Sequence, residues 1–96
     1  MKAIVTACAV AGALAAGIAI AQSGPEVLKA KGCLNCHDAD KKKVGPAFKD
    51  IAAKNKDDKG AEAALIAKIK EGKAHPKIAA SDAELKAAVG HVLSTK

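Results

Sequence analysis

Three features of this 96-residue chain predict an all-α fold of about four short helices. Apolar residues recur at helical spacing, capping residues stand at the edges of those runs, and no stretch alternates convincingly as a strand would.

Residues 3–21 carry no charge and are built almost wholly of Ala, Ile, Val, Leu, Gly and Cys. Met1-Lys2 supplies a short positive start and Ala19-Ile20-Ala21 a small-x-small pattern, so residues 1–21 read as a signal peptide cut after Ala21. An uncleaved membrane anchor is the competing reading, because a stretch of about 18 to 20 apolar residues can span a bilayer. Ala- and Gly-rich composition and the terminal A-x-A favour cleavage. Cys8 is then an ordinary small residue of the removed peptide, and residues 22–96 form a single exported domain.

The first helix opens at Ser23-Gly24-Pro25-Glu26. Ser23 or Gly24 caps it, Pro25 sits in the first turn where its missing N–H is not needed, and Glu26 meets the positive helix end. Val27, Leu28 and Ala30 give its apolar side, and Gly32 stops it. Residues 38–46 form a polar, turn-rich loop. The second helix is predicted over residues 47–54, with Phe48, Ile51 and Ala52 inward. A charged connection precedes the third helix, over residues 61–71, which buries Ala61, Leu65 and Ile69 and is capped by Gly72. The last helix is the best specified. Ser81-x-x-Glu84 is a capping box, and Leu85, Ala88, Val89, Val92 and Leu93 share one face.

Composition narrows the partners. All 16 basic residues are Lys and Phe48 is the only aromatic residue, so there are neither guanidinium forks nor stacking platforms for nucleic acid. A net charge of +6 instead fits steering toward an acidic protein or work near anionic membranes. The large apolar side chains after residue 21, from Val27 to Leu93 and including Leu34, Val44 and Ile78, are few for four helices to share. Domains of this size commonly need a disulfide, a metal or a large bound cofactor.

Cys33-Leu34-Asn35-Cys36-His37 is C-x-x-C-H, the attachment signature of c-type haem. Two thiols three positions apart can reach the two vinyl groups of one porphyrin, with the adjacent imidazole as axial ligand. A thioredoxin-like pair would want a βαβ context, structural zinc would want a second ligand pair at short spacing, and a plain disulfide is the remaining alternative.

Taken together, these residues resemble the small class I cytochromes c of bacteria, in particular those related to the c-551 type. The likeness runs through Pro25-Glu26-Val27-Leu28, Gly32-Cys33-x-x-Cys36-His37, residues 43–52, Ile69-Lys70-x-Gly72 and Val92-Leu93-Ser94. It implies a helical shell around one covalent haem c and single-electron transfer rather than enzyme catalysis. By position, Cys33 and Cys36 would be the thioether attachments and His37 the proximal ligand. Pro46 would accept from the His37 Nδ1–H, and Gly45 would let the backbone approach the ring. The plainer reading of Gly45-Pro46 is a loop end before a helix.

The chain departs from this family in one respect. Relatives take a distal methionine from the loop before the last helix, and here no Met follows Met1. In the family pattern that Met precedes Pro and lies six positions before the last helix cap, a place held here by His75, followed by Pro76. The resemblance therefore implies iron ligated by His37 and His75, with a lowered potential. Two other readings stay open for His75, a solvent-facing loop residue beside five-coordinate iron and a weak ligand displaced by exogenous molecules. His91 is the other candidate, read as a surface or haem-rim residue.

The expected function is a periplasmic monohaem electron carrier, its expected partners being redox proteins with acidic docking surfaces, membrane-bound complexes among them, and the carrier itself a monomer. The alternative is a haem-based sensor or gas-binding protein with a displaceable His75. Lys41, Lys42, Lys43, Lys49, Lys54 and Lys73 could ring a haem edge for docking, or simply be solvated.

Overall fold

The computed structural model describes residues 22–96; the expected signal peptide and its cleavage site lie outside the described residues. Four α-helices, α1 (Gly24–Ala30), α2 (Phe48–Lys54), α3 (Ala61–Glu71) and α4 (Asp82–Leu93), follow one another with a single 3-10 turn at Cys33–Asn35. Among the described residues there is no strand, and no helix is long and apolar enough to cross a membrane.

Local chemistry sets most helix ends. Ser23 is extended and its hydroxyl accepts from the Glu26 N–H at 3.4 Å, while Gly32, at φ 74°, turns the chain out of α1. The second helix starts one residue later than predicted. Ala47 is extended and fully buried, which lets the Phe48 N–H donate to the Asp38 carbonyl at 2.9 Å, a loop carbonyl standing in for a side-chain cap. Gly72, at φ 71°, ends α3 as expected.

The capping box of α4 is complete. Glu84 N–H donates to Ser81 Oγ at 3.2 Å and Ser81 N–H donates to Glu84 Oε1 at 3.0 Å. Those Ser81 hydrogen bonds, backbone first, hold the Glu84 carboxyl below its ordinary range, with Lys31 adding attraction at 3.5 Å. A carboxyl depressed in the folded state contributes stability that is present above its unfolded pKa and lost as pH falls through the folded value. Glu84→Gln should therefore lose less stability on acidification than the wild type, as read from melting temperatures across an acidic pH series. An unchanged acid slope would remove Glu84 from the account.

The fourth helix is the hub against which α1, α2 and α3 each pack. Contacts between the start of α1 and the end of α4, and the Lys31–Glu84 pair at their opposite ends, make these two helices antiparallel. They approach closely at Gly24, where a Cβ would come within 2.4 Å of His91 Cβ and 2.6 Å of the Ala87 carbonyl. The core joins Val27 and Leu28 of α1, Phe48 of α2, and Ala88 and Val92 of α4, with Cys33 and Ile51 packed against it. Each large side chain buried this way contributes about 1.5–3 kcal/mol.

Two packing expectations need correction. Leu65 and Ile69 are half-buried rather than buried, because α3 packs on α4 alone and Ala61 is its one buried residue. Leu34 and Val44 belong to no core, being 42% and 82% exposed on the loop side of the molecule.

Candidate functional site

The segment that follows α1 folds back on itself through backbone hydrogen bonds. Gly32 releases the chain into the 3-10 turn, after which the Cys36 and His37 N–H groups both donate to the Cys33 carbonyl, at 3.2 and 3.0 Å. This tight turn places Cys33, Cys36 and His37 together. Asp38 then accepts from the Asp40 and Lys41 N–H groups at 2.9 and 3.1 Å, and these bonds hold its carboxyl below the usual range. The loop returns when the Gly45 N–H donates to the Cys36 carbonyl at 2.7 Å.

That return lays Gly45 on the imidazole of His37. A Cβ at Gly45 would fall 2.4 Å from His37 Cε1 and 2.8 Å from Nδ1, so only glycine fits. His37 Nδ1 donates to the Pro46 carbonyl at 2.7 Å, the contact that the family resemblance implies. Phe48 stacks on the same ring with centroids 5.2 Å apart and planes at 24°. The imidazole is thus confined by a backbone, a carbonyl and an aromatic ring. Its Nδ1 carries the proton, which leaves Nε2 free to bind a metal.

His75 is brought to the same place from the other end of the chain. Its ring centroid lies 6.0 Å from that of His37, with the two planes only 8° apart. Its Nδ1 donates to the Pro76 carbonyl at 2.7 Å, repeating the arrangement at His37 and leaving a second Nε2 free. Cys33, Cys36 and the two imidazoles are the chain's donors at this place, and a bound haem would find nitrogen at either ring. His91 joins neither ring; it is exposed on α4 against Gly24 and borders a groove with Pro25, Leu28 and Leu34.

The alternative uses of the cysteine pair lack their structural context: among the described residues there is no strand for a βαβ thioredoxin-like unit. Among the described residues, no three His, Cys, Asp or Glu side chains gather to hold a bare metal ion.

Three features of the site have no place in the motif or its spacing. The Phe48 stack and the Pro76 carbonyl are two of them, and the third is Ala74, which has φ 54°. A His-Pro pair echoing the His37–Pro46 contact was the available signal for Pro76. No local signal distinguishes the other two.

The family model described as Cytochrome c matches residues 21–96. The chain belongs to the cytochrome c family. It is 45% identical to cytochrome c-551 of Pseudomonas aeruginosa over 95 residues, covering 86% of this chain and 91% of that one. Identity to cytochrome c-551 of Stutzerimonas stutzeri is also 45%, over 71 residues, covering 74% of this chain and 68% of the relative. The crystal structure of wild-type Nitrosomonas europaea cytochrome c552 superimposes with a TM-score of 0.67 at 38% identity, covering 75% of this chain and 99% of that one. This cytochrome c therefore has the all-α class I fold, one haem c attached through its cysteine pair, Cys33 and Cys36, and the role of an electron carrier rather than an enzyme.

Proposed function

We propose that this cytochrome is an exported, periplasmic carrier of single electrons whose haem iron is ligated by His37 and His75, and which works at a lower potential than its methionine-ligated relatives. The observation that carries this reading is the parallel placement of the two imidazoles 6.0 Å apart, each with Nδ1 tied to a proline carbonyl. Nothing else in the chain after Met1 could supply the thioether of a distal methionine. The haem supplies a one-electron iron couple, and nitrogen on both axial sides lowers its potential relative to a Met/His pair. The protein's part is to hold both nitrogens in place, so that iron keeps its coordination on electron transfer.

The gas-binding alternative needs His75 to leave. The Ile78 N–H bond to the Ile69 carbonyl at 3.3 Å holds the loop against α3, and the hydrogen bond of His75 to the Pro76 carbonyl fixes the ring within that loop. Purified protein should show a low-spin ferric spectrum, a midpoint potential below that of a methionine-ligated c-551, and slow carbon monoxide binding when reduced. A high-spin ferric spectrum would sink the assignment, and fast carbon monoxide binding would favour the gas-binding reading.

Docking follows from charge and exposure. Lys41, Lys42, Lys43, Lys49, Lys54 and Lys73 are all exposed, and the Lys43 ammonium donates to the Leu34 carbonyl at 3.1 Å, next to exposed Leu34 and Val44. A small apolar patch among lysines suits brief contact between this monomer and an acidic redox partner, in solution or bound to a membrane. Its electron-transfer rate with such a partner should fall several-fold as ionic strength rises. A salt-independent rate would argue against the surface.

The apolar leader fits this role. Removal of residues 1–21 leaves a haem-binding domain of residues 22–96 on the side of the membrane where haem is attached, and N-terminal sequencing should begin at Gln22.

A further inference from the structure

We propose that Ala74 and the Pro76 carbonyl are positioning groups that lock the plane of the His75 imidazole parallel to that of His37; this rests on the bis-histidine reading. The Nδ1–H bond of an imidazole lies in the ring plane. An acceptor fixed in the backbone therefore sets how the ring is rotated about its metal-binding nitrogen. At His37 the acceptor is Pro46, and at His75 it is Pro76, each at 2.7 Å. The two acceptors together leave the planes 8° apart.

The path of the distal loop explains how Pro76 comes to serve. Gly72 turns the chain left-handed at φ 71° and Lys73 N–H donates back to the Lys68 carbonyl at 3.2 Å. Ala74 takes a second left-handed conformation at φ 54°, the one non-glycine residue among those described to do so. An L-residue there is strained, and such a conformation persists where surrounding contacts impose it. Here those contacts are Pro76, whose ring fixes φ and whose carbonyl holds the imidazole, and Ile78, which pairs with Ile69. Two left-handed turns in three residues reverse the chain quickly enough for a loop of residues 72–80 to present His75 from its middle.

The consequence is electronic. With parallel imidazole planes, the π orbitals of both rings act on the same iron d orbital, splitting the d pair; frozen ferric protein then gives a rhombic low-spin EPR spectrum with three resolved features. Perpendicular planes leave that pair nearly degenerate and give one steep low-field feature.

EPR of the ferric holoprotein tests this, together with three variants. The wild type should be rhombic. Pro76→Ala frees φ and should broaden the signal or move it toward the steep low-field form. Ala74→Val makes φ 54° harder to reach and should do the same, whereas Ala74→Gly accepts that φ and should leave the wild-type signal intact. A high-spin wild-type spectrum would overturn the bis-histidine reading and this proposal with it. A low-spin wild type with the steep low-field feature would overturn the parallel lock alone. Unchanged spectra in both Pro76→Ala and Ala74→Val would remove these residues from the positioning role, and if Pro76→Ala failed to take up haem, the Ala74 pair would decide.

Discussion

Replacing His75 with alanine is expected to change the ferric iron from low-spin to high-spin while leaving the haem attached. Attachment depends on Cys33 and Cys36, which lie in the turn after α1 and make no use of the 72–80 loop. His37 keeps its anchors in the variant, because Pro46, Gly45 and Phe48 all belong to the other side of the site. Loss of the second nitrogen opens a coordination position, so reduced His75→Ala should bind carbon monoxide at least tenfold faster than the wild type. His91→Ala should leave the spectrum as it was. Should His75→Ala stay low-spin, some other group would have to be the distal ligand. His75→Met, at the position where relatives carry methionine, is expected to raise the potential toward theirs.

Gly45→Ala should be damaging on the proximal side even though it removes no ligand and no attachment point. The added methyl would sit 2.4 Å from His37 Cε1, well inside van der Waals contact. The imidazole cannot slide away freely, since Phe48 lies on it and Nδ1 is committed to Pro46. Moving Gly45 instead would break its 2.7 Å bond to the Cys36 carbonyl, which closes the loop. Overpacking of this kind costs about 1–3 kcal/mol, and a fixed ligand puts the site at the upper end. The melting temperature of the holoprotein should fall by several degrees, with a perturbed iron spectrum. A variant that melts and absorbs like the wild type would mean that the loop is softer than its hydrogen bonds imply.

The contrast between these two sites shows what kinds of information a chain displays openly. On the proximal side, Cys33, Cys36, His37, Gly45 and Pro46 fall within fourteen positions of one another, and their roles follow from short-range geometry. The motif could be read directly, and the structure places Pro46 on His37 as the resemblance implied. On the distal side, only the absence of a second methionine and the register of His75 before Ser81 were visible. The partner of its Nδ1, the plane of its ring and the left-handed Ala74 were not, because each depends on where the loop runs once α3 and α4 have packed.

Helix positions divide in the same way. Ser23, Gly72 and the Ser81–Glu84 box act within three or four residues, so the ends they control were predictable from local chemistry. The start of α2 was not, since it is set by a bond from Phe48 to the distant Asp38 carbonyl. Burial of Leu65, Ile69, Leu34 and Val44 was overstated for a related reason: periodicity identifies an apolar face, and only the neighbours decide whether that face is covered.

By itself, then, the sequence determined the all-α class, the covalent haem site, the electron-carrier family and the loss of the distal methionine, because these rest on residue identity and short spacings. Tertiary structure alone decided that α4 is the hub, that Phe48 supports His37, and that the rings of His37 and His75 lie parallel 6.0 Å apart. The last of these joins residues 38 positions apart, and all of them come into being only when the chain has closed on itself.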